Sequence, residues 1–170
     1  MQNSNYKLLV VDDEISLRQS LVTYLEDSGF VVYDAPDAIR GLRLFEETLP
    51  DLVITDLRMP NVDGLTLLKQ IHDISPNIPV IVISGASVMG DVVEALRLGA
   101  TDYLIKPVVD MEVLIHAIHK SLERNQLLVE NHKYRLELEQ ANEQLKRHIR
   151  ALEQDQKAGH FVQQLSLIHI

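Results

Sequence analysis

Short apolar runs alternate with amphipathic stretches along the first two-thirds of the chain. Leu8-Leu9-Val10-Val11, Leu52-Val53-Ile54 and Val80-Ile81-Val82-Ile83 are too short for helices and lack the alternation of half-exposed strands, so they read as buried strands. Phe30-Val31-Val32-Tyr33 and Tyr103-Leu104-Ile105 give two weaker strand signals. Between them apolar residues recur at helical spacing. Leu17, Leu21 and Leu25 form one such set, Ala38, Leu42 and Phe45 a second, Leu65, Leu68 and Ile71 a third, and Val92, Ala95 and Leu96 a fourth. Gly29, Pro50-Asp51 and Gly99 stand where these helices should stop. Strand–helix units of about 20–25 residues, five in all, predict an α/β domain with a parallel sheet covered on both faces.

After Asp110 the pattern changes. Residues 111–156 contain no Gly and no Pro and are rich in Leu, Glu, Lys, Arg and Gln, all good helix formers. Leu138, Asn142, Leu145, Ile149 and Leu152 follow steps of four and three, the seam of a coiled coil. A helix over 111–156 is about 70 Å long. The expectation is a parallel homodimer in which a buried Asn142 sets the register. The competing readings are a helix frayed beyond about residue 125 or one packed on another domain.

Composition narrows the field. Nothing in the chain approaches the roughly 18–20 apolar residues of a membrane span, and the polar start has no signal-peptide pattern, which makes the expected location cytoplasmic. The absence of cysteine excludes disulfides, thiolate catalysis and Cys-based metal sites. His116 and His119 share a helix face but have no third ligand nearby in sequence, so a His-bound metal is not expected. Residues 1–120 carry 18 acidic and 9 basic side chains, a net charge of −9, whereas residues 121–170 carry seven of each. An acidic domain without a basic stripe argues against direct nucleic-acid binding by this segment, and the asymmetry marks a change of character near residue 120.

The strand ends carry the chemistry. In an open parallel sheet, ligands bind beyond the carboxyl ends of the strands. Strand one runs into Asp12-Asp13-Glu14, strand three into Asp56, strand four into Ser84, and strand five into Lys106-Pro107. If strands one, three, four and five are neighbours, these groups converge. Clustered carboxylates repel one another unless a cation neutralises them, and an all-oxygen ligand set selects a hard ion such as Mg²⁺. A lysine opposite the acids adds a second positive charge, and the pair suits an incoming phosphoryl group. A carboxylate can itself be the nucleophile. Singly, each residue has a plainer reading: Asp12 or Asp13 as a helix cap, Ser84 as a turn residue, Tyr103 as strand packing. The signal lies in their joint occurrence at successive strand ends.

These residues resemble the CheY-like receiver domain of two-component response regulators. The matching elements are Val11-Asp12-Asp13-Glu14, then Asp56-Leu57-Arg58-Met59-Pro60 with Asp63-Gly64, Ser84, the stretch from Ala95 to Ala100, and Asp102-Tyr103-Leu104-Ile105-Lys106-Pro107. The resemblance implies a flavodoxin-like, doubly wound five-stranded parallel sheet of order 2-1-3-4-5 over residues 1–120. A coiled-coil linker over 121–156 then continues the last receiver helix. It further implies that Asp56 accepts a phosphoryl group from a sensor histidine kinase or phosphotransfer protein, and that Asp13 and Asp56 bind Mg²⁺ directly. The backbone carbonyl of Arg58 is implied as a third ligand, and Asp12 binds the ion mainly through water. Lys106 and Ser84 would contact the phosphoryl oxygens, Tyr103 would turn inward as the switch, and the Lys106–Pro107 peptide would be cis. Such a protein is a signalling phosphoacceptor, not an enzyme beyond its own phosphoryl transfer, and it switches dimerisation or an attached output domain.

Residues 157–170 read as the start of an output domain or as a cloning remnant. Asp155–Gln164 resembles the entry into PP2C-like phosphatase domains, and Ser84–Val108 resembles the receiver of a sigma-factor adaptor. Enzymes of similar topology fit poorly. A flavodoxin needs a phosphate loop where Asp12-Asp13-Glu14 stands, and a haloacid-dehalogenase-like phosphatase needs an acid where Arg58 stands.

Overall fold

The structure is a computed structural model that describes residues 3–85 and 89–168, with side chains through Gly159. His169, Ile170 and the side chains from His160 onward, which include most of the terminal segment singled out above, lie outside the described residues. The chain divides into two units, Met1–Gln126 and Leu127–Ile170.

The first unit alternates strand and helix throughout. Its strands are β1 (Lys7–Val11), β2 (Val31–Ala35), β3 (Leu52–Asp56), β4 (Val80–Gly85) and β5 (Asp102–Lys106). The helices are α1 (Ile15–Asp27), α2 (Ala38–Thr48), α3 (Gly64–Ile74), α4 (Met89–Arg97) and α5 (Met111–Ile168), the last continuing into the second unit. The strands are parallel and stand in the order β2-β1-β3-β4-β5, the doubly wound arrangement expected.

Period-two alternation sorts the strand side chains onto two cores. Leu9, Val11, Val53, Val80 and Val82 face Phe45 of α2, Leu67, Leu68 and Ile71 of α3, and Val92 and Ala95 of α4. Leu8, Val10, Leu52, Ile54, Ile81 and Ile83 face Leu21 and Leu25 of α1 and Leu114, Ile118 and Leu122 of α5. Covering both faces explains why β1, β3 and β4 are uninterrupted apolar runs. Each fully buried Leu or Ile contributes about 1.5–3 kcal/mol. Leu96 departs from the expected buried face of α4: it is exposed, while Val92 and Ala95 make the contact with the sheet.

Side-chain caps start three of the helices, Asp110 accepting the Glu112 N–H at 2.9 Å at the head of α5. Asp37 accepts the Arg40 N–H at 2.8 Å at the head of α2, and Asp63 accepts the Thr66 N–H at 2.9 Å at the head of α3. The coil anticipated after Asp110 is helical well past residue 156, to Ile168. Gly159 alone does not end it, because one glycine costs only about 1 kcal/mol in a helix and no proline follows. Every side chain from Leu127 to Gly159 is exposed.

The turn from α4 to β5 is locked from the side. His72, in the last turn of α3, places Nδ1 3.1 Å from the Leu98 carbonyl oxygen and Nε2 3.2 Å from that of Ile78. Gly99 has φ +108°, and a Cβ there would lie 2.7 Å from His72 Cε1. Gly99→Ala is therefore expected to lose roughly 1–3 kcal/mol through backbone strain, with a further loss from displacing the imidazole. Urea unfolding midpoints of the two proteins check this.

Candidate functional site at the carboxyl edge of the sheet

Parallel register delivers the polar residues to one edge. β1 pairs with β3 through Val11↔Thr55, β3 with β4 through Asp56↔Ile83, and β4 with β5 through Ser84↔Ile105 and Gly85↔Lys106. Asp12 follows β1 directly. The sequence-predicted Asp12, Asp13, Asp56, Ser84 and Lys106 therefore all stand at the ends of adjacent strands.

Lys106 is the centre of the cluster. Its ammonium donates to Asp56 Oδ2 at 2.8 Å, lies 3.1 Å from Asp12 Oδ2, and reaches Glu14 Oε2 at 3.8 Å. Asp12 and Asp56 are almost fully buried, whereas Asp13 is exposed. Asp12, Asp13 and Asp56 each offer a carboxylate oxygen, all within 4.8 Å of one another. Oxygen-only donors at this spacing fit a hard divalent cation and offer nothing to a soft one.

The remaining lone pairs are tied to backbone. Asp12 Oδ1 accepts the Glu14 N–H at 2.8 Å, and Asp56 Oδ1 accepts the Arg58 N–H at 3.2 Å. Glu14, rather than Asp12 or Asp13, occupies the cap position of α1 and makes no side-chain cap bond. Ser84 is buried, and among the described residues its Oγ has no hydrogen-bond partner. An orphaned buried hydroxyl costs free energy, so its retention marks a position that another group can satisfy. Tyr103 sits on β5, partly exposed, and is not in contact range of the carboxylates by any hydrogen bond among the described residues. The Lys106–Pro107 peptide is cis.

Gly64, the first residue of α3, sets how closely that helix approaches the site. A Cβ there would overlap the Asp56 carbonyl oxygen and crowd Leu57 Cα at 2.8 Å. Its N–H donates to the Leu57 carbonyl at 2.9 Å, which fixes the loop after Asp56. Only glycine permits that backbone approach.

Two arginines contribute in ways the sequence did not suggest. Arg18 of α1, nearly buried, donates from Nη1 to the Asp12 carbonyl oxygen at 2.6 Å and pairs through Nε with Asp34 at 2.9 Å. It ties α1 and the end of β2 to the acidic loop. The Arg58 side chain pairs with Asp91 of α4 at 2.9 Å and links the loop after Asp56 to that helix. Neither ion pair has a local motif, because Asp34 is 16 residues from Arg18 and Asp91 lies on α4, outside the loop that carries Arg58.

Electrostatics follow the geometry. Burial is the largest influence on Asp12 and pushes its carboxyl above the ordinary value, with the Asp56 charge adding to it. The Glu14 N–H and Lys106 pull the other way and do not fully compensate. For Lys106, burial favours the neutral amine, but the hydrogen bond it donates to Asp56 and the charge of Asp12 outweigh it and hold the ammonium protonated.

Residues 8–119 match the family described as response regulator receiver domain. The chain is 35% identical over 137 residues to the C4-dicarboxylate transport transcriptional regulatory protein DctD of Pseudomonas aeruginosa, covering 81% of this chain and 29% of that protein. It is 40% identical over 101 residues to a probable transcriptional regulator, ycf27, of Guillardia theta, covering 59% of this chain and 39% of that one. The chain thus spans well under half the length of these curated relatives. A crystal structure of a response regulator receiver domain protein from Clostridium thermocellum superposes with a TM-score of 0.69 at 37% identity, covering 72% of this chain and 98% of that one.

The raised Asp12 carboxyl has a measurable consequence. A raised folded value means that folding holds this proton more tightly than the unfolded chain does. That contribution to stability is complete below the ordinary value of 3.8 and is lost as pH rises through the folded value. In EDTA, wild type should lose stability relative to Asp12→Asn as pH climbs from about 4 to 7. Urea midpoints across that window check it; parallel curves would show that burying Asp12 carries no such cost.

Proposed function

The chain belongs to the response regulator receiver family, which couples phosphorylation to switching of an output, and from that premise we propose that Asp56 is its phosphoacceptor. One observation carries the assignment. The Asp56 carboxylate is almost buried, is hydrogen-bonded by Lys106 at 2.8 Å and lies within reach of two further carboxylates, while Ser84, whose buried hydroxyl has no partner among the described residues, stands near the end of the neighbouring strand β4.

Receivers bind Mg²⁺ in such an acidic pocket, and the donor set here suits the ion. Asp12, Asp13, Asp56 and the backbone carbonyl of Arg58 would hold it, Asp12 through water, and the bound ion would neutralise charge on the phosphoryl oxygens. The chain's own residues do the rest. A phosphohistidine on a sensor kinase or phosphotransfer protein is the donor. An Asp56 carboxylate oxygen forms the new bond to phosphorus as the P–N bond breaks, and the leaving imidazole nitrogen keeps the electron pair. Lys106, already charged and desolvated beside Asp56, stabilises the negative charge that gathers on the transferring group. Ser84 Oγ donates to a phosphoryl oxygen, which satisfies the orphaned hydroxyl.

The switch follows from that last contact. Ser84 shifts towards the phosphoryl group, and Tyr103, now partly exposed on β5, turns into the vacated space. The surface of α4, β5 and α5 is thereby biased between two populations, which takes only a few kcal/mol of differential stabilisation. Catalysis is limited to the chain's own phosphoryl transfer.

Residues 1–120 act as the receiver and 121–156 as a linker that pairs two copies as a parallel homodimer, passing the signal to an output domain beginning at 157–170. Among the described residues, no helix is long and apolar enough to cross a membrane, and a cytoplasmic location without direct nucleic-acid binding by this segment fits the composition.

Acetyl phosphate and Mg²⁺ should shift wild type on Phos-tag gels, with chelation abolishing the shift, and Asp56→Asn should lose at least about 100-fold of the modification. An Asp56→Asn protein that shifts like wild type would sink the assignment. The output is read separately: beryllofluoride should change the sedimentation of the Asp56 protein, and an unchanged monomer in both states counts against a phosphorylation-controlled dimer.

A further inference from the structure

The helical unit from Leu127 onward carries more apolar surface than one heptad frame accounts for. Leu127, Tyr134, Leu138, Leu145, Ile149 and Leu152 are each about half exposed or more, at 45% to 68%. The distal part reads cleanly. With Leu138, Leu145 and Leu152 at d, Asn142 and Ile149 fall at a. A β-branched residue at a, leucine at d and a lone asparagine at a are the pattern of two parallel strands. The asparagine also selects the occupant of this face. Its amide is satisfied across the axis by the same asparagine of a second copy, whereas an apolar groove of another protein would leave it unpaired. At the flank, His148 at g of one copy stands opposite Glu153 at e of the other, a complementary pair.

That frame fails when carried back towards Leu127. Continued in heptads it places Arg135 at a, burying a charge in the seam, and leaves Leu127 and Tyr134 outside. The frame that suits Leu127, Asn131 and Tyr134 fails in the other direction: carried forward it places Ala141 and His148 in the seam and leaves Ile149 outside. The two frames meet at Leu138, which is d in the distal frame and a in the frame that starts at Leu127. Stepping 127, 131, 134, 138, 142, 145, 149, 152 inserts one extra four-residue step and avoids both Arg135 and His148. On a straight helix these positions stay within an arc of roughly 80° at 3.6 residues per turn. Asn131 and Asn142, both at a, are then eleven residues apart, the repeat that removes left-handed supercoiling.

Resting on the parallel-dimer reading above, we propose that two copies pair along residues 127–152 through a coiled coil whose seam changes phase at Leu138, with a locally straight stretch between Asn131 and Asn142. The two halves of the coil are held in different rotational phases. The stretch that joins them is where the coil takes up rotation of one half against the other.

The chain contains no cysteine, so a disulfide scan has no background. Single substitutions from Leu127→Cys to Leu152→Cys in the full chain are oxidised and resolved on non-reducing gels, with Gln144→Cys as an off-seam control. Each variant is also sedimented to confirm that it remains a dimer. The expected maxima are at 127, 131, 134, 138, 142, 145, 149 and 152. Cross-linking at 127 and 134 should exceed that at 128 and 135 by about five-fold or more, and 149 should exceed 148 similarly, because disulfides require Cα atoms within about 7 Å. Maxima at 128 and 135 together with 142 and 149, or at 127 and 134 together with 141 and 148, mean one unbroken heptad frame. Either result overturns the phase change and leaves the dimer standing. Cross-links confined to a single neighbourhood mean an antiparallel pair and overturn the parallel seam. No cross-link at any position, with monomeric sedimentation, removes the dimer reading and this inference with it.

Discussion

The contact on which the site depends is the Lys106 ammonium held between the Asp56 and Asp12 carboxylates, at 2.8 and 3.1 Å. Two nearly buried acids cannot stay charged side by side without compensation. Lys106 offsets their repulsion, and the Asp12 carboxyl is raised chiefly by its burial. The net negative charge of three carboxylates against one ammonium is of a kind that suits a hard divalent cation. It also confines Lys106 to the position where a transferring phosphoryl group would need it.

The frame around that contact is a parallel sheet buried on both faces. Its register brings five polar residues from four strands to one edge, and the two apolar cores beneath hold the strands in place. Glycine at 64 lets α3 close over the Asp56 backbone, while Arg18 and Arg58 tie α1 and α4 to the same loops. The acid cluster is therefore linked to α1, α3 and α4 by short contacts, and a change at Asp56 has a physical route to α4. The route to α5 is different in kind. Leu114, Ile118 and Leu122 anchor its first part in the core opposite α2–α4, whereas every side chain from Leu127 to Gly159 is exposed. One helix thus has two environments, a packed first part and a second part whose apolar stripe is exposed.

Most of the fold was legible because the signals were local. Uninterrupted runs such as Val80–Ile83 have no stable place except between two helical layers, and caps and glycines mark the helix ends. Leu96 lies outside the buried stripe of α4 because helical periodicity defines a stripe but not its width, and Val92 and Ala95 are the residues of α4 that join the core. The helix α5 runs beyond residue 156 because a single glycine with no proline after it is a weak stop.

The candidate site divides the same way. The sequence by itself determined which chemistry was on offer: acids after strands one and three, a hydroxyl after strand four, a lysine after strand five, and no thiol or paired imidazole to compete with them. Strand spacing was enough to say that these groups belong at one edge. Only the tertiary structure decided their distances, the burial of Asp12 beside an exposed Asp13, the unpartnered Ser84 hydroxyl, and the pairing of Arg18 with the Asp12 backbone and of Arg58 with Asp91. Those features arise between separate elements of the fold, and their energies depend on local dielectric and on angle, neither of which is written in the order of residues along a chain.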